Sequence, residues 1–223
     1  MLIQLLTQDP VTFFVLALVL IFSLVLHELG HGYAAYFFGD DTAKRAGRLT
    51  FNPLKHLDPM GALLLLFVGV GWAKPVPIDT RRLRPYRLGL FVVSIAGIVI
   101  NLTLSLLFGL LLYYLKETQP LAVYATLVEH QTAGLVGVVT LVAFYAGAIN
   151  LILALFNLVP IPPLDGSRIL MALLPERYHP YLWRLDRYAM YTFLLIVLDL
   201  QFNGPISRML DWAQSTYFRT IFG

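Results

Sequence analysis

Three apolar stretches, residues 11–38, 88–115 and 135–159, constrain this chain more than anything else in it. The hydrocarbon core of a bilayer takes about 20 consecutive apolar residues in a helix. Each stretch is long enough. Backbone polar groups cannot be left unpaired in lipid, so each is expected to be a spanning helix. The composition agrees: 58% of the residues are hydrophobic and 13% charged, where a soluble domain has about half and about a quarter. The expected fold class is an all-α polytopic membrane protein, surrounded by a lipid bilayer. A net charge of +3 without a long basic run excludes nucleic acid as a partner.

The shorter segments refine this picture. Residues 1–26 hold no Lys or Arg, and no small-x-small site precedes His27, so the N-terminus reads as a retained span rather than a cleaved signal peptide. Cysteine is absent, which removes disulfides and thiolate metal sites. "GALLLLFVGVG" (61–71) is too short for a full crossing and fits a re-entrant or interfacial segment. The polar stretch 39–59 is rich in turn residues, and its "RLTF" is a candidate short strand. In "WAKPVPIDTRRLRPYR" (72–87) the prolines exclude a regular helix. After the third span come a short segment (167–174), a polar stretch (175–187), a last apolar run (188–200) and an amphipathic tail from Pro205. The expectation is four to six transmembrane or re-entrant segments, with a short β-rich or loop region after the first span. They form one domain, 1–223, with its core at 11–166 and a C-terminal span and tail at 167–223.

Charge sets the orientation. Lys44, Arg45, Arg48 and Lys55 lie in 39–60; Lys74, Arg81, Arg82, Arg84 and Arg87 in 72–87; Arg168, Arg177, Arg184 and Arg187 in 160–187. The loop 116–134 has one Lys, and residues 1–10 have none. If 61–71 dips in and returns, all three basic segments share one side, and the positive-inside rule makes it cytoplasmic. The N-terminus is then outside, and the protein is expected in the plasma membrane.

"VLHELGHG" places His27, Glu28 and His31 inside the first apolar run. His27 and His31, four apart on a helix, share one face and can bind one Zn²⁺; Glu28 beside them can take a proton from an activated water. Ionisable residues within a span are functional by default. The plainer reading, that the span ends at Leu26 and both His are interfacial, is opposed by the apolar "YAAYFF" that follows. A catalytic zinc takes three protein ligands. His130 falls on the predicted outer side. His179 lies in a polar stretch where a solvated His is the default. His56, in "NPLKHLDPMG", is on the correct side. So is Asp165, in "PPLDG" just past the third span, where a plain Asp-Gly turn is an equally good reading.

At this point the residues resemble a known family. "HELGH" in a first span, with "NLVPIPPLDG" ending a later one, looks like the site-2 protease family of intramembrane zinc metalloproteases, peptidase family M50. The second motif of that family is Asn-x-x-Pro-x-Pro-x-x-Asp-Gly, matched here by Asn157, Pro160, Pro162, Asp165 and Gly166. "NPLKHLDPMG", "GWAKPVPID" and "AGIVIN" are similar to family segments between the motifs. The resemblance implies His27, His31 and Asp165 as ligands of one Zn²⁺ and Glu28 as general base. It implies that Asn157 positions substrate or stabilises the oxyanion, and that His56 and Asn101 support the site. The substrate it implies is a transmembrane helix of another protein, cut during regulated intramembrane proteolysis. The 223 residues suggest a minimal member without a PDZ or CBS domain.

A helical substrate must unwind before it is cut. "GVGWAKPVP" could offer it an unpaired strand edge, though a plain surface loop is as good a reading of that stretch. Two other functions stand beside the protease. In a metal or proton transporter, His27, His31 and Asp165 would form a pathway; that needs polar groups through several spans, and the second offers only Asn101, Thr103 and Ser105. An inactive helix-binding relative would have lost part of a motif, and none is missing. No sequence feature points to an oligomeric state.

Overall fold

The structure, a computed structural model, describes residues 2–68 and 71–223. A short helix α1 (Leu2–Gln8) leads into α2 (Pro10–Phe37), the first span. Pro10 sits in the first turn of α2, where its missing N–H costs nothing, and the Asp9 carboxylate accepts the Thr12 N–H at 3.0 Å. Gly39, at φ +96°, ends the helix in a conformation that favours glycine. After α3 (Thr42–Arg45) and α4 (Pro59–Val68) comes the second span, α5 (Tyr86–Thr118). Helix α6 (Pro120–Leu127) returns the chain to the third span, α7 (Gly134–Leu158). Then follow α8 (Asp165–Leu173), α9 (His179–Asp186), α10 (Ala189–Gln201) and α11 (Pro205–Phe222).

Helices α2, α5 and α7 are long and apolar enough to cross a membrane, and they pack on one another as the core. Small residues bring them close. A Cβ at Gly30 of α2 would stand 3.2 Å from the Ala96 carbonyl oxygen of α5, the small-residue contact that membrane helices use in place of a hydrophobic driving force. Outward, α5 presents exposed Val99, Leu102, Leu106 and Leu110, as a lipid-facing surface requires. Helices α10 and α11 together are apolar enough for a fourth crossing, broken by a 55° bend.

The 61–71 run doubles back on itself over its described part. Gly61, near the start of α4, lies in backbone contact with Gly71 and Trp72, so the chain comes back to where it left. Gly69 and Val70, which belong to that run and to the candidate strand edge, lie outside the described residues.

Two expectations are corrected. The short β-rich region is absent: among the described residues there is no strand, and "RLTF" is a series of bends. Only an isolated antiparallel bridge, Leu57 with Ala73, forms there; a strand needs a longer partner than the proline-rich 72–78 segment can offer. His179 is not solvated. It is buried at the start of α9, with Nε2 2.9 Å from the Met171 carbonyl oxygen, because α9 folds back against α8.

Candidate metal centre

His27 and His31 lie one turn apart on α2, and Asp165 opens α8 directly opposite them. Gly166 lets α8 approach: any Cβ there would collide with the Leu158 and Val159 carbonyl oxygens at the end of α7. The result is a tight triangle. His27 Nε2 and His31 Nε2 are 3.0 Å apart, and each is 3.1 Å from Asp165 Oδ2. Among the described residues this is the one group of three His, Cys, Asp or Glu side chains close enough to hold a metal ion.

The hydrogen bonds behind the rings decide what the triangle can bind. His31 Nδ1 faces the Val93 carbonyl oxygen at 2.6 Å; a carbonyl only accepts, so Nδ1 carries the proton and Nε2 a lone pair. The His27 tautomer is set by a longer relay. Asn150 Nδ2 donates to the Ala146 carbonyl oxygen (2.9 Å) and to Ser23 Oγ (2.8 Å), which turns its Oδ1 toward Asn101. Asn101 Nδ2 donates to that oxygen at 2.6 Å, which turns Asn101 Oδ1 toward His27. His27 Nδ1 lies 2.5 Å away and donates to it. Two imidazole lone pairs and a carboxylate oxygen thus converge within about one hydrogen-bond length. Without a cation a proton must be shared among them. Burial pushes the Asp165 carboxyl up, but its bonds to His27 and His31 outweigh this and hold it well below the usual carboxylate range. A divalent ion replaces the proton and satisfies all three atoms. Tetrahedral zinc ligands stand roughly 3.3–3.6 Å apart, so the triangle needs to open by only a few tenths of an ångström. The residues fit zinc.

Gly97 of α5 completes the pocket. A Cβ at this position would stand 2.5 Å from His27 Cε1 and 2.6 Å from His31 Nε2. A single methyl group there would displace both rings.

A cavity of about 520 Å³ opens over the triangle, lined also by Glu28, Asn157, Trp72, Val76 and Phe193. Glu28 lines the cavity; its Oε2 accepts the Val76 N–H at 2.7 Å, and its Oε1 takes no hydrogen bond among the described residues. Asn157 Nδ2 donates one hydrogen to the Leu153 carbonyl oxygen and keeps a second hydrogen and its Oδ1 for a ligand. Residues 71–78 form an extended strap along the cavity. The strap is tied down on its far side: Lys74 N–H donates to the His56 carbonyl oxygen (2.8 Å), and Arg48 Nη2 to that of Lys74 (2.7 Å).

Of the residues singled out in the sequence, His27, Glu28, His31, Asn157 and Asp165 meet at this cavity, and Asn101 bonds to His27 directly. The His56 ring stays apart. It is buried, with Nε2 2.9 Å from the Thr50 carbonyl oxygen, and touches the site only through the strap. The sequence reading passed over Asn150, Ser23 and Gly97. A lone Asn inside an apolar span is the signal that marks Asn150. Replacing it with Leu leaves Asn101 free to rotate, and removing an outer partner of a metal-bound His typically costs about 10–100-fold in metal affinity. Competition with a chromogenic chelator is expected to show that loss in Asn150→Leu.

The profile of peptidase family M50 matches residues 15–200. The chain is 42% identical over 201 residues to a protein of Bacillus subtilis (strain 168) named "Putative zinc metalloprotease YwhC", covering 88% of this chain and 84% of that one. It is 31% identical over 196 residues to "Putative zinc metalloprotease Rip2" of Mycobacterium tuberculosis (strain ATCC 25618 / H37Rv), covering 85% and 69%. No solved structure matches the chain. A profile spanning most of the length and a relative alike over nearly all of it agree with a centre whose lone pairs call for zinc, and the chain belongs to peptidase family M50, the zinc metalloproteases.

Proposed function

We propose that this metalloprotease cuts transmembrane helices of other membrane proteins, with His27, His31 and Asp165 as ligands of one zinc, Glu28 as general base and Asn157 as the oxyanion or substrate donor. The observation that carries this reading is the position of the triangle: His27 and His31 are buried ten and six residues inside the end of a 28-residue spanning helix. Zinc bound there supplies Lewis-acid activation of water and of a peptide carbonyl.

The chain's own residues do the rest. Glu28 Oε1 accepts the proton of the attacking water and returns it to the leaving amine. The Val76 N–H holds Oε2, so the carboxylate turns only one oxygen to the reaction. Asn157 offers its free amide hydrogen to the carbonyl oxygen as charge develops. The strap is the natural seat for an unwound substrate. In the Leu57–Ala73 bridge the partner-side bond is Lys74 N–H to His56 O, and among the described residues the Ala73 N–H and C=O take no backbone partner. An extended peptide can pair with that edge. His56 and Arg48 support it from behind. The whole chain, 1–223, acts as one domain in this reading.

The polar groups also weigh against a transporter. Asn101, Asn150 and Ser23 are gathered on His27 instead of being spaced along a path.

The zinc centre faces the cytoplasm of a multi-pass plasma-membrane protein in this reading, since the three basic segments share its side. The cysteine-free chain makes the test simple. A cysteine at Thr7 is expected to label from outside, and one at Lys55 from the cytoplasm. Labelling of Thr7→Cys from the cytoplasm alone would invert the topology. For the function itself, membrane proteomics of cells carrying wild type against Glu28→Gln is expected to show uncut single-span proteins accumulating in the variant. Identical membrane proteomes would remove the proposal.

A further inference from the structure

Helix α11 carries a feature that proteolysis leaves unexplained. It packs on α5 and α7 through Tyr217, whose hydroxyl donates to the Ser105 carbonyl oxygen at 2.9 Å and sits in a notch left by Gly109 and Gly147. Further along, Lys116 Nζ reaches the Ile221 carbonyl oxygen at 3.2 Å. These two contacts fix the register: α11 runs beside α5 in the same direction, away from the zinc end. Arg208 precedes Tyr217 by nine residues, about 13 Å of helix. It therefore stands roughly level with Gly97–Asn101 of α5, deep in the spanning bundle. Asp211 lies one turn further on.

Both side chains point outward and are exposed. Among the described residues neither forms an ion pair. The bend between α10 and α11 lies at the same depth, where Gln201, Phe202 and Asn203 are exposed around an interrupted helix. Part of it is closed: the Asp199 carboxylate accepts the Ile206 and Ser207 N–H groups at 3.0 Å, the Asp199 carbonyl oxygen accepts the Gly204 N–H at 2.8 Å, and the Gly204 carbonyl oxygen accepts from the Arg208 backbone. Hydrocarbon accepts neither unpaired charges nor exposed irregular backbone. This face is therefore covered.

We propose that a second copy of this chain covers it, through a two-fold interface centred on α11. The charge pattern selects that occupant. Arg208, Asp211, Ser215 and Arg219, spaced by three, four and four residues, form one stripe. The stripe holds a cation and an anion side by side at its deep end, so it complements itself. When two copies meet about an axis along the membrane normal, each Arg208 guanidinium reaches the Asp211 carboxylate of the other copy, and two reciprocal pairs form. Lipid tails satisfy neither charge. Buried Leu210 and Ile221 on the opposite side stay with their own chain.

The absence of cysteine gives a direct test on the full-length protein in its native membrane. Ser215→Cys is expected to form an oxidant-induced disulfide dimer at twice the 25.1 kDa chain mass. Val99→Cys, exposed on the α2 side of α5, is expected to stay monomeric. In lipid nanodiscs, light scattering is expected to give two copies for wild type. Dimerisation should weaken at least about tenfold in Arg208→Glu and in Asp211→Arg, and return when both changes are combined. The disulfide arm keeps the native charges, so it reads the interface even if a single reversal fails to fold. One-copy particles for wild type would overturn the proposal, as would equal cross-linking at Val99→Cys or no rescue in the double reversal. Ready labelling of Ser215→Cys by a membrane-impermeant maleimide would overturn it in favour of a water-lined face. A Ser215→Cys adduct with a different protein would overturn it in favour of another partner.

Discussion

Glu28→Gln is expected to abolish measurable cleavage while leaving zinc in place. Gln is nearly isosteric, and its side-chain oxygen can still accept the Val76 N–H that Glu28 Oε2 accepts at 2.7 Å. The strap and the cavity should therefore keep their shape. What disappears is the capacity to take a proton from water, which typically contributes about 10²–10⁴-fold in rate. Among the described residues Glu28 Oε1 takes no hydrogen bond, and the other carboxylate at the cavity, Asp165, is held in the metal triangle through Oδ2. Turnover of the purified variant, measured beside its zinc content, checks both halves. Turnover within about threefold of wild type would remove Glu28 from proton transfer.

The second large effect is expected at Asp165. Asp165→Ala removes one corner of the triangle and leaves two imidazole lone pairs 3.0 Å apart with no anion to offset a divalent charge. Zinc affinity should fall by more than the roughly 100-fold that loss of an outer partner can cause, and activity with it. The fold should persist, because α8 is held to α5 by its apolar face: Ile169 shares a buried cluster with Ile98, and Met171 and Ala172 share another with Leu90 and Val93. Metal analysis after purification in equimolar zinc reads the outcome. Full occupancy in Asp165→Ala would strike Asp165 from the ligand set. The His56 ring is no substitute: it points to the Thr50 carbonyl oxygen and stays out of the triangle.

The spans and the pairing of His27 with His31 were legible because each rests on a local rule. Helix α5 needed only a long apolar run, and the His27–His31 pair only a helical period of 3.6 residues. Residues in the span periodicity therefore landed within a few positions of the observed ends. Asp165 is different. It is 134 residues from His31, and from position alone it read equally well as a turn. The family resemblance singled it out, and the approach of α8 at Gly166 shows how it reaches the histidines. The relay through Asn150 was hidden for a physical reason. A hydrogen-bond chain that passes from α7 to α5 to α2 has no spacing signature along the chain; only packing brings its members together. Gly97 was hidden likewise, since its importance is a space left for two rings from another helix. The strand at "RLTF" failed because a strand is a property of pairs. The segment had the residues for one, but among the described residues no strand lies beside it; only the isolated Leu57–Ala73 bridge forms nearby. His179 went the same way in reverse: a polar neighbourhood in sequence became a buried one when α9 folded onto α8.

The central claim is that the zinc centre acts on helices from within the bilayer. The most direct measurement reconstitutes the full-length protein in lipid vesicles with a single-span test helix and locates the cut by mass spectrometry. The helix carries a Gly-Pro pair near its cytoplasmic end, and a second version has Leu at both positions. Opening one turn in lipid exposes several backbone groups at a cost of a few kcal/mol each, and Gly or Pro lowers that cost beforehand. The account predicts a zinc-dependent cut within about a turn of the Gly-Pro pair, sharply slower cleavage of the all-Leu helix, and no cleavage by Glu28→Gln. Equal cleavage of both helices, a cut confined to the water-exposed flank, or zinc-independent cleavage would contradict it.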